Sequence, residues 1–166
     1  GLDALPEDAV RAVCLFVAAC VFVERSVFDR FVELFVAATK KLSVGDPAQE
    51  ATQVGPLVSA GQRQSVENYI LSARQADRTI AIGGDRPLAK GCYLNPTVIL
   101  NPETTDCVWR EEIFGPVACL RPFDDEAAML REVNDSPYGL SGSLWTNDLK
   151  RAIRVARRVE SGVLSI

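Results

Sequence analysis

The chain has 166 residues, a net charge of −4 and an apolar fraction of 48%. That length fits one domain with a real core. The acidic balance and the absence of a basic cluster exclude nucleic acid as a main partner, and the longest apolar run, Ala12 to Val23, falls short of the roughly 18 residues of a membrane span.

In chain order, Gly1 opens the sequence without a methionine or a Lys/Arg-led leader, which reads as a piece or a processed product. Leu5, Val10, Val13 and Phe16 are near helical spacing and predict a helix over Asp3–Phe16. Val21-Phe22-Val23 predicts a short buried strand. Ser26, with Asp29 three residues on, predicts a capped helix with a stripe of Phe28, Phe31, Phe35 and Leu42. A loop rich in Gly, Pro and Gln follows, from Gly45 to Pro56. Ser59 and Gln62 predict a second capping box, opening a helix that faces Val66, Tyr69, Ile70 and Ala73 inward.

Thr79–Ile82 reads as a strand closed by Gly83-Gly84. Tyr93–Leu100 reads as extended, with Pro96 favouring an edge or a bulge. Val117–Phe123 is another strand, and Asp124 is expected to cap the helix after it. Gly142–Thr146 is expected to be a strand with Trp145 in the core. Asn147 is expected to cap a last helix over 148–160 with Ile153, Ala156 and Val159 inward. Its Arg151, Arg154, Arg157 and Arg158 read as a solvated row. The final apolar stretch, Val163–Ile166, predicts an edge open to self-association. Strands alternating with helices predict an α/β fold with a mostly parallel sheet and flanking helices, as a single domain over 1–166.

One stretch organises the rest: Trp109-Arg110-Glu111-Glu112-Ile113-Phe114-Gly115-Pro116-Val117. Pro116 fixes its own φ and restricts Gly115, so the segment reads as a rigid loop that aims Glu111, Glu112 and Phe114. The competing reading is a tight turn with two solvated glutamates.

Glu-Glu-Ile-Phe-Gly-Pro-Val over 111–117 resembles the signature loop of the NAD(P)-dependent aldehyde dehydrogenase family. Further matches follow in the family's order: Gly55-Pro56-Leu57-Val58, Gly91-Cys92-Tyr93-Leu94-Asn95-Pro96-Thr97, Asn134-Asp135-Ser136-Pro137-Tyr138-Gly139-Leu140-Ser141, and Ser161-Gly162-Val163. The set is similar to the family's catalytic domain and covers nearly the whole chain from Val21 onward. The resemblance implies NAD or NADP as cofactor, a small-molecule aldehyde as substrate and a homo-oligomer. It places Glu112 on the nicotinamide ribose and Phe114 against the nicotinamide.

In that family a thiolate attacks the aldehyde, hydride passes to the cofactor, and a glutamate-activated water hydrolyses the thioester. The nucleophile lies in a Gly-Gln-x-Cys segment five residues before an arginine. Counting back from Val21 puts the arginine position at Cys20 and the nucleophile position at Leu15, so Cys14 is one residue out of register. Cys14 and Cys20 are the candidate nucleophiles, and the alternative is that both are buried thiols of an apolar segment. The Glu-Leu-Gly-Gly motif of the family's general base does not occur in this chain, nor does Gly-x-Gly-x-x-Gly. Two functional readings therefore stand. One is the catalytic-domain portion of an aldehyde dehydrogenase, inactive in isolation. The other is a non-catalytic domain with an assembly or binding role.

No histidine is present, so any proton transfer falls to a carboxylate, thiol, lysine or water. The five cysteines are odd in number and contain no Cys-x-x-Cys, which indicates neither a disulfide framework nor a metal site and predicts a reducing, cytoplasmic setting.

Overall fold

Alternating apolar residues give each strand two faces, and a strand buried on both must be covered by helices on both. The computed structural model describes residues 19–166 and shows this arrangement. The helix expected over Asp3–Phe16 lies outside the described residues. Two compact units divide the chain, one running to Pro122 and the other from Phe123 to Ile166.

In the first unit the elements are β1 (Ala19–Glu24), α1 (Phe28–Thr39), α2 (Ala60–Gln75), β2 (Thr79–Ile82), β3 (Thr97–Leu100), the one-turn α3 (Cys107–Arg110) and β4 (Val117–Phe123). The strands lie in the order β1-β4-β3-β2. β3 and β4 are parallel, with Thr97 opposite Val117 and Leu100 opposite Leu120. β2 is antiparallel to β3, with a register shift between Ile80 and Ile82. The α/β class with flanking helices therefore holds, and the sheet is mixed. The antiparallel step arises where the connection over 83–96 contains no helix to carry a parallel crossover.

The period-two alternation sorts side chains to two cores. Phe22, Ile99, Val117 and Cys119 pack on one face with Val66, Ile70 and Ala73 of α2 and with Val108, Trp109 and Ile113. Val23, Val98, Ala118 and Leu120 pack on the other face with Phe28 and Phe35 of α1. Each fully buried side chain of this size contributes roughly 1.5–3 kcal/mol. Trp109 also meets Phe22 edge-on, with ring centroids 5.0 Å apart. Pro96 sits immediately before β3, a central strand rather than an edge, where its missing N–H breaks no ladder bond.

The two caps expected in this unit differ in outcome. Ser26 lies in a 3₁₀ turn, Arg25–Val27, and α1 starts at Phe28 after Val27 with no side-chain cap. Ser59 does cap α2, accepting from the Gln62 N–H at 3.1 Å. The Gln62 side chain, however, reaches elsewhere.

The second unit contains α4 (Glu126–Asn134), β5 (Ser141–Ser143), α5 (Leu149–Ala156) and β6 (Val163–Ser165). β5 and β6 pair in parallel, with α5 as the crossover between them. The caps are Asp125 and Asp148, each one residue after the position expected from sequence. Asp148 accepts from the N–H groups of Lys150 and Arg151. The inward residues of α5 are Ala152 and Val155, while Ile153 is 44% exposed. Ala152, Val155 and Val159 form an equally good helical stripe, and the sequence pattern does not choose between it and the one through Ile153. Trp145 lies beyond the short β5 and is 73% exposed, not core. The arginine row is partly engaged: Glu126 takes Arg154 in a two-pronged pair at 2.7 and 2.8 Å. Asn134 ties the end of α4 to the chain after α5, donating to the Arg158 carbonyl and accepting from the Glu160 N–H.

Candidate functional site

The stretch from Glu111 to Pro116 enters β4 as a loop fastened at several points. Ile113 is fully buried in the core beneath α2. Gln62 Nε2 donates to the Ile113 carbonyl at 3.2 Å and to the Phe114 carbonyl at 2.9 Å. Tyr69 donates its hydroxyl to Glu111 Oε2 at 2.7 Å. At the exit, the Val117 N–H donates to the Gly115 carbonyl and the Thr97 N–H to the Pro116 carbonyl, both at 2.8 Å. Gly115 lies directly on Val66, so that a β-carbon there would stand 2.6 and 2.9 Å from the two γ-methyls. Only glycine permits that approach.

What the loop leaves outside is a pair. Phe114 has φ of +50°, a region that bulky residues avoid, and the residue is 57% exposed. Glu112 is exposed, and no hydrogen bond or ion pair holds its carboxylate among the described residues. A free carboxylate two residues from an exposed aromatic side chain can accept hydrogen bonds from a ligand and offer it an apolar planar contact. Both residues expected to hold cofactor are thus exposed on this loop, while the carboxylate of Glu111 is engaged by Tyr69.

The thiols divide by environment. Cys14 lies outside the described residues. Cys20 is exposed, and its Sγ donates to the Trp109 carbonyl at 3.3 Å. Cys119 is buried, and desolvation raises its pKa far above the ordinary thiol range, with Cys20, Asp106 and Cys107 adding to the rise. Cys107 is half-buried and lies 3.0 Å from Ser72 Oγ. Below the loop, Asp106 is exposed to two opposing influences. Desolvation raises its pKa, and the hydrogen bonds from Arg78 and the Glu103 N–H outweigh it, leaving the carboxyl below its usual value. The Arg78 Nε–Asp106 Oδ2 distance is 2.7 Å. The guanidinium of Arg86, from the connection after β2, grips Glu67 of α2 and holds that carboxyl low against some desolvation.

Sequence reasoning did not find Gln62, Val66 and Tyr69 as parts of this site. Their i, i+4, i+7 spacing on α2 was visible as a helical face. The partners on the loop are remote in sequence, and nothing local announces them.

A sequence profile described as the Aldehyde dehydrogenase family matches residues 12–166. Betaine aldehyde dehydrogenase 1 of Oryza sativa subsp. japonica is 40% identical over 139 residues, which is 82% of this chain and 28% of the rice protein. The chloroplastic betaine aldehyde dehydrogenase of Beta vulgaris is 38% identical over 144 residues, 86% of this chain and 29% of its own length. Among solved structures, the NAD+ complex of an aldehyde dehydrogenase from Bacillus cereus superposes with a TM-score of 0.91 at 30% identity, covering 96% of this chain and 34% of that one. A betaine aldehyde dehydrogenase from Staphylococcus aureus in complex with NAD+ gives 0.90 at 32% identity, covering 96% and 34%. The chain therefore spans about a third or less of the length of the proteins it matches.

Proposed function

The chain belongs to the aldehyde dehydrogenase family, and on that premise we propose that it is the portion of an NAD(P)-dependent enzyme, oxidising an aldehyde to a carboxylic acid, that presents the cofactor's nicotinamide ribose. The observation that carries the reading is the outward pair of Glu112 and Phe114 on a loop whose other members are fastened. Glu112 accepts the ribose hydroxyls, and Phe114 offers its ring face to the nicotinamide. When bound, the cofactor supplies the hydride acceptor. The chain's own contribution is to orient it and to keep the loop from rearranging. NAD is the first cofactor to test, because two of the similar structures hold it; NADP is the second.

Cys14 is the residue proposed for the nucleophile. Without a Gly-x-Gly-x-x-Gly segment to cradle phosphates, the isolated chain is proposed to bind dinucleotide weakly and to turn over no aldehyde. Betaine aldehyde heads the substrate panel because the rice and beet relatives carry that name. Homo-oligomerisation and a cytoplasmic setting complete the proposal. No described helix is long and apolar enough to cross a membrane.

The test is reduced-cofactor absorbance across an aldehyde panel. It is run on this chain and on a longer protein that contains it. Turnover by the longer protein and none by the chain supports the reading. Silence from both across the panel sinks it and favours a non-catalytic role, for which the displaced Gly-Gln-x-Cys register is the motivating observation. Saturable oxidation by the chain itself, lost in Cys14→Ala, would overturn both the proposed inactivity and the non-catalytic alternative.

A further inference from the structure

Phe114 occupies a backbone region that an aromatic residue enters only when its surroundings hold it there. Two peptide planes meet at its Cα. The plane carrying the Ile113 carbonyl turns with φ of Phe114, and the plane carrying the Phe114 carbonyl turns with ψ. Both carbonyl oxygens accept from one atom, Nε2 of Gln62. A single carboxamide thus pins both torsions of one residue.

The base of that side chain is itself fixed. The Gln62 N–H is taken by the Ser59 cap, which sets the first turn of α2. Further along the same helix face, Val66 meets Gly115 and Tyr69 meets Glu111. We infer that Gln62 is a positioning residue: it holds Phe114 in its outward conformation and carries Glu112 with it, so that α2 templates the ligand-facing loop. The ligand named for that loop rests on the reading in the preceding subsection; the positioning itself does not.

The experiment uses Gln62→Ala and the near-isosteric Gln62→Glu in this chain. Glutamate keeps the shape but at neutral pH turns a donor into a charged acceptor facing two carbonyls. Backbone order parameters from ¹⁵N relaxation are measured at Phe114 and Gly115, with Val98 and Leu120 as core controls. Wild type is expected at about 0.85, the rigid-backbone value, and both variants below about 0.6 with the controls unchanged. Lowering the pH to about 4 protonates a fraction of the introduced glutamate, restores a donor and recovers part of the order in Gln62→Glu, but not in Gln62→Ala. A purely packing role would leave Gln62→Glu like wild type at every pH.

Order parameters unchanged in both variants overturn the inference. So does a Gln62→Glu variant that matches wild type while only Gln62→Ala loosens. In a second arm, nicotinamide mononucleotide is titrated into all three proteins. Binding by wild type with at least tenfold weaker binding by both variants supports the inference, and equal binding by all three overturns it. Absence of binding by wild type counts against the cofactor reading alone, and the order parameters then decide the inference by themselves.

Discussion

Gly115→Ala is the substitution whose consequence follows most directly from the packing. The added methyl would stand 2.6 Å from one γ-methyl of Val66 and 2.9 Å from the other, against 3.4 Å or more for ordinary contact. Something must therefore move by about 0.8 Å, the difference between the closer approach and ordinary contact. Val66 cannot give way easily. It is fully buried, and a β-branched side chain in a helix has one strongly preferred rotamer. Overpacking of this kind costs roughly 1–3 kcal/mol. Replacing glycine returns about 0.4–1 kcal/mol by restricting the unfolded chain, since Gly115 does not occupy the left-handed region. The net expectation is a loss of about 1.5 kcal/mol, or a fall in Tm of roughly 3–6 °C for a domain of this size.

Urea unfolding measures the first and calorimetry the second. Val66→Ala alone leaves a cavity and destabilises. In combination with Gly115→Ala the new methyl enters that space, so the double variant should be at least about 1 kcal/mol more stable than the sum of the singles predicts. A neutral Gly115→Ala, or strict additivity in the double variant, would refute the claim that the loop is pressed onto α2.

Three further outcomes are expected. Phe114→Gly should leave global stability within about 1 kcal/mol in urea, because relief of the left-handed strain, about 1 kcal/mol, offsets the extra freedom of glycine in the unfolded chain; a larger loss would mean that the ring is packed rather than presented. Asp106 titrates lower in the folded chain than in the unfolded one, so its stabilising contribution is present above the unfolded value and is lost as pH falls through the folded value. Asp106→Asn should accordingly lower the urea midpoint at neutral pH and reduce the further fall seen on acidification, and an unchanged acid profile would contradict this. Among the described cysteines, alkylation of the native protein followed by peptide mass mapping should label the exposed Cys20 first and leave the buried Cys119 unlabelled until urea is added; early labelling of Cys119 would contradict its burial.

The strands and the two packed helices of the first unit were legible because their signals are local. Val21–Val23, Thr79–Ile82 and Val117–Phe123 alternate or run apolar, and Phe28, Phe35, Val66, Ile70 and Ala73 fall on helical stripes that the structure buries. The loop was legible for the same reason, since Gly115-Pro116 restricts the backbone wherever it occurs. The antiparallel course of β2 was not, because pairing direction depends on the length and content of the connection. Trp145 misled because its expected burial rested on a strand that ends at Ser143. Gln62 was read correctly for its backbone and not for its side chain: the local pattern of a capping box says nothing of two carbonyls that arrive from a distant loop.

The measurement that tests the cofactor reading most directly is an NMR titration of this chain with NAD+ at millimolar concentration, following the amides of Glu112, Phe114 and Gly115 and the Phe114 ring. Saturable shifts confined to that loop, lost in Phe114→Ala and weakened in Glu112→Gln, are predicted. Shifts centred elsewhere, or none at the loop while NAD+ binds, would contradict the assignment of Glu112 and Phe114 as the nicotinamide ribose contacts.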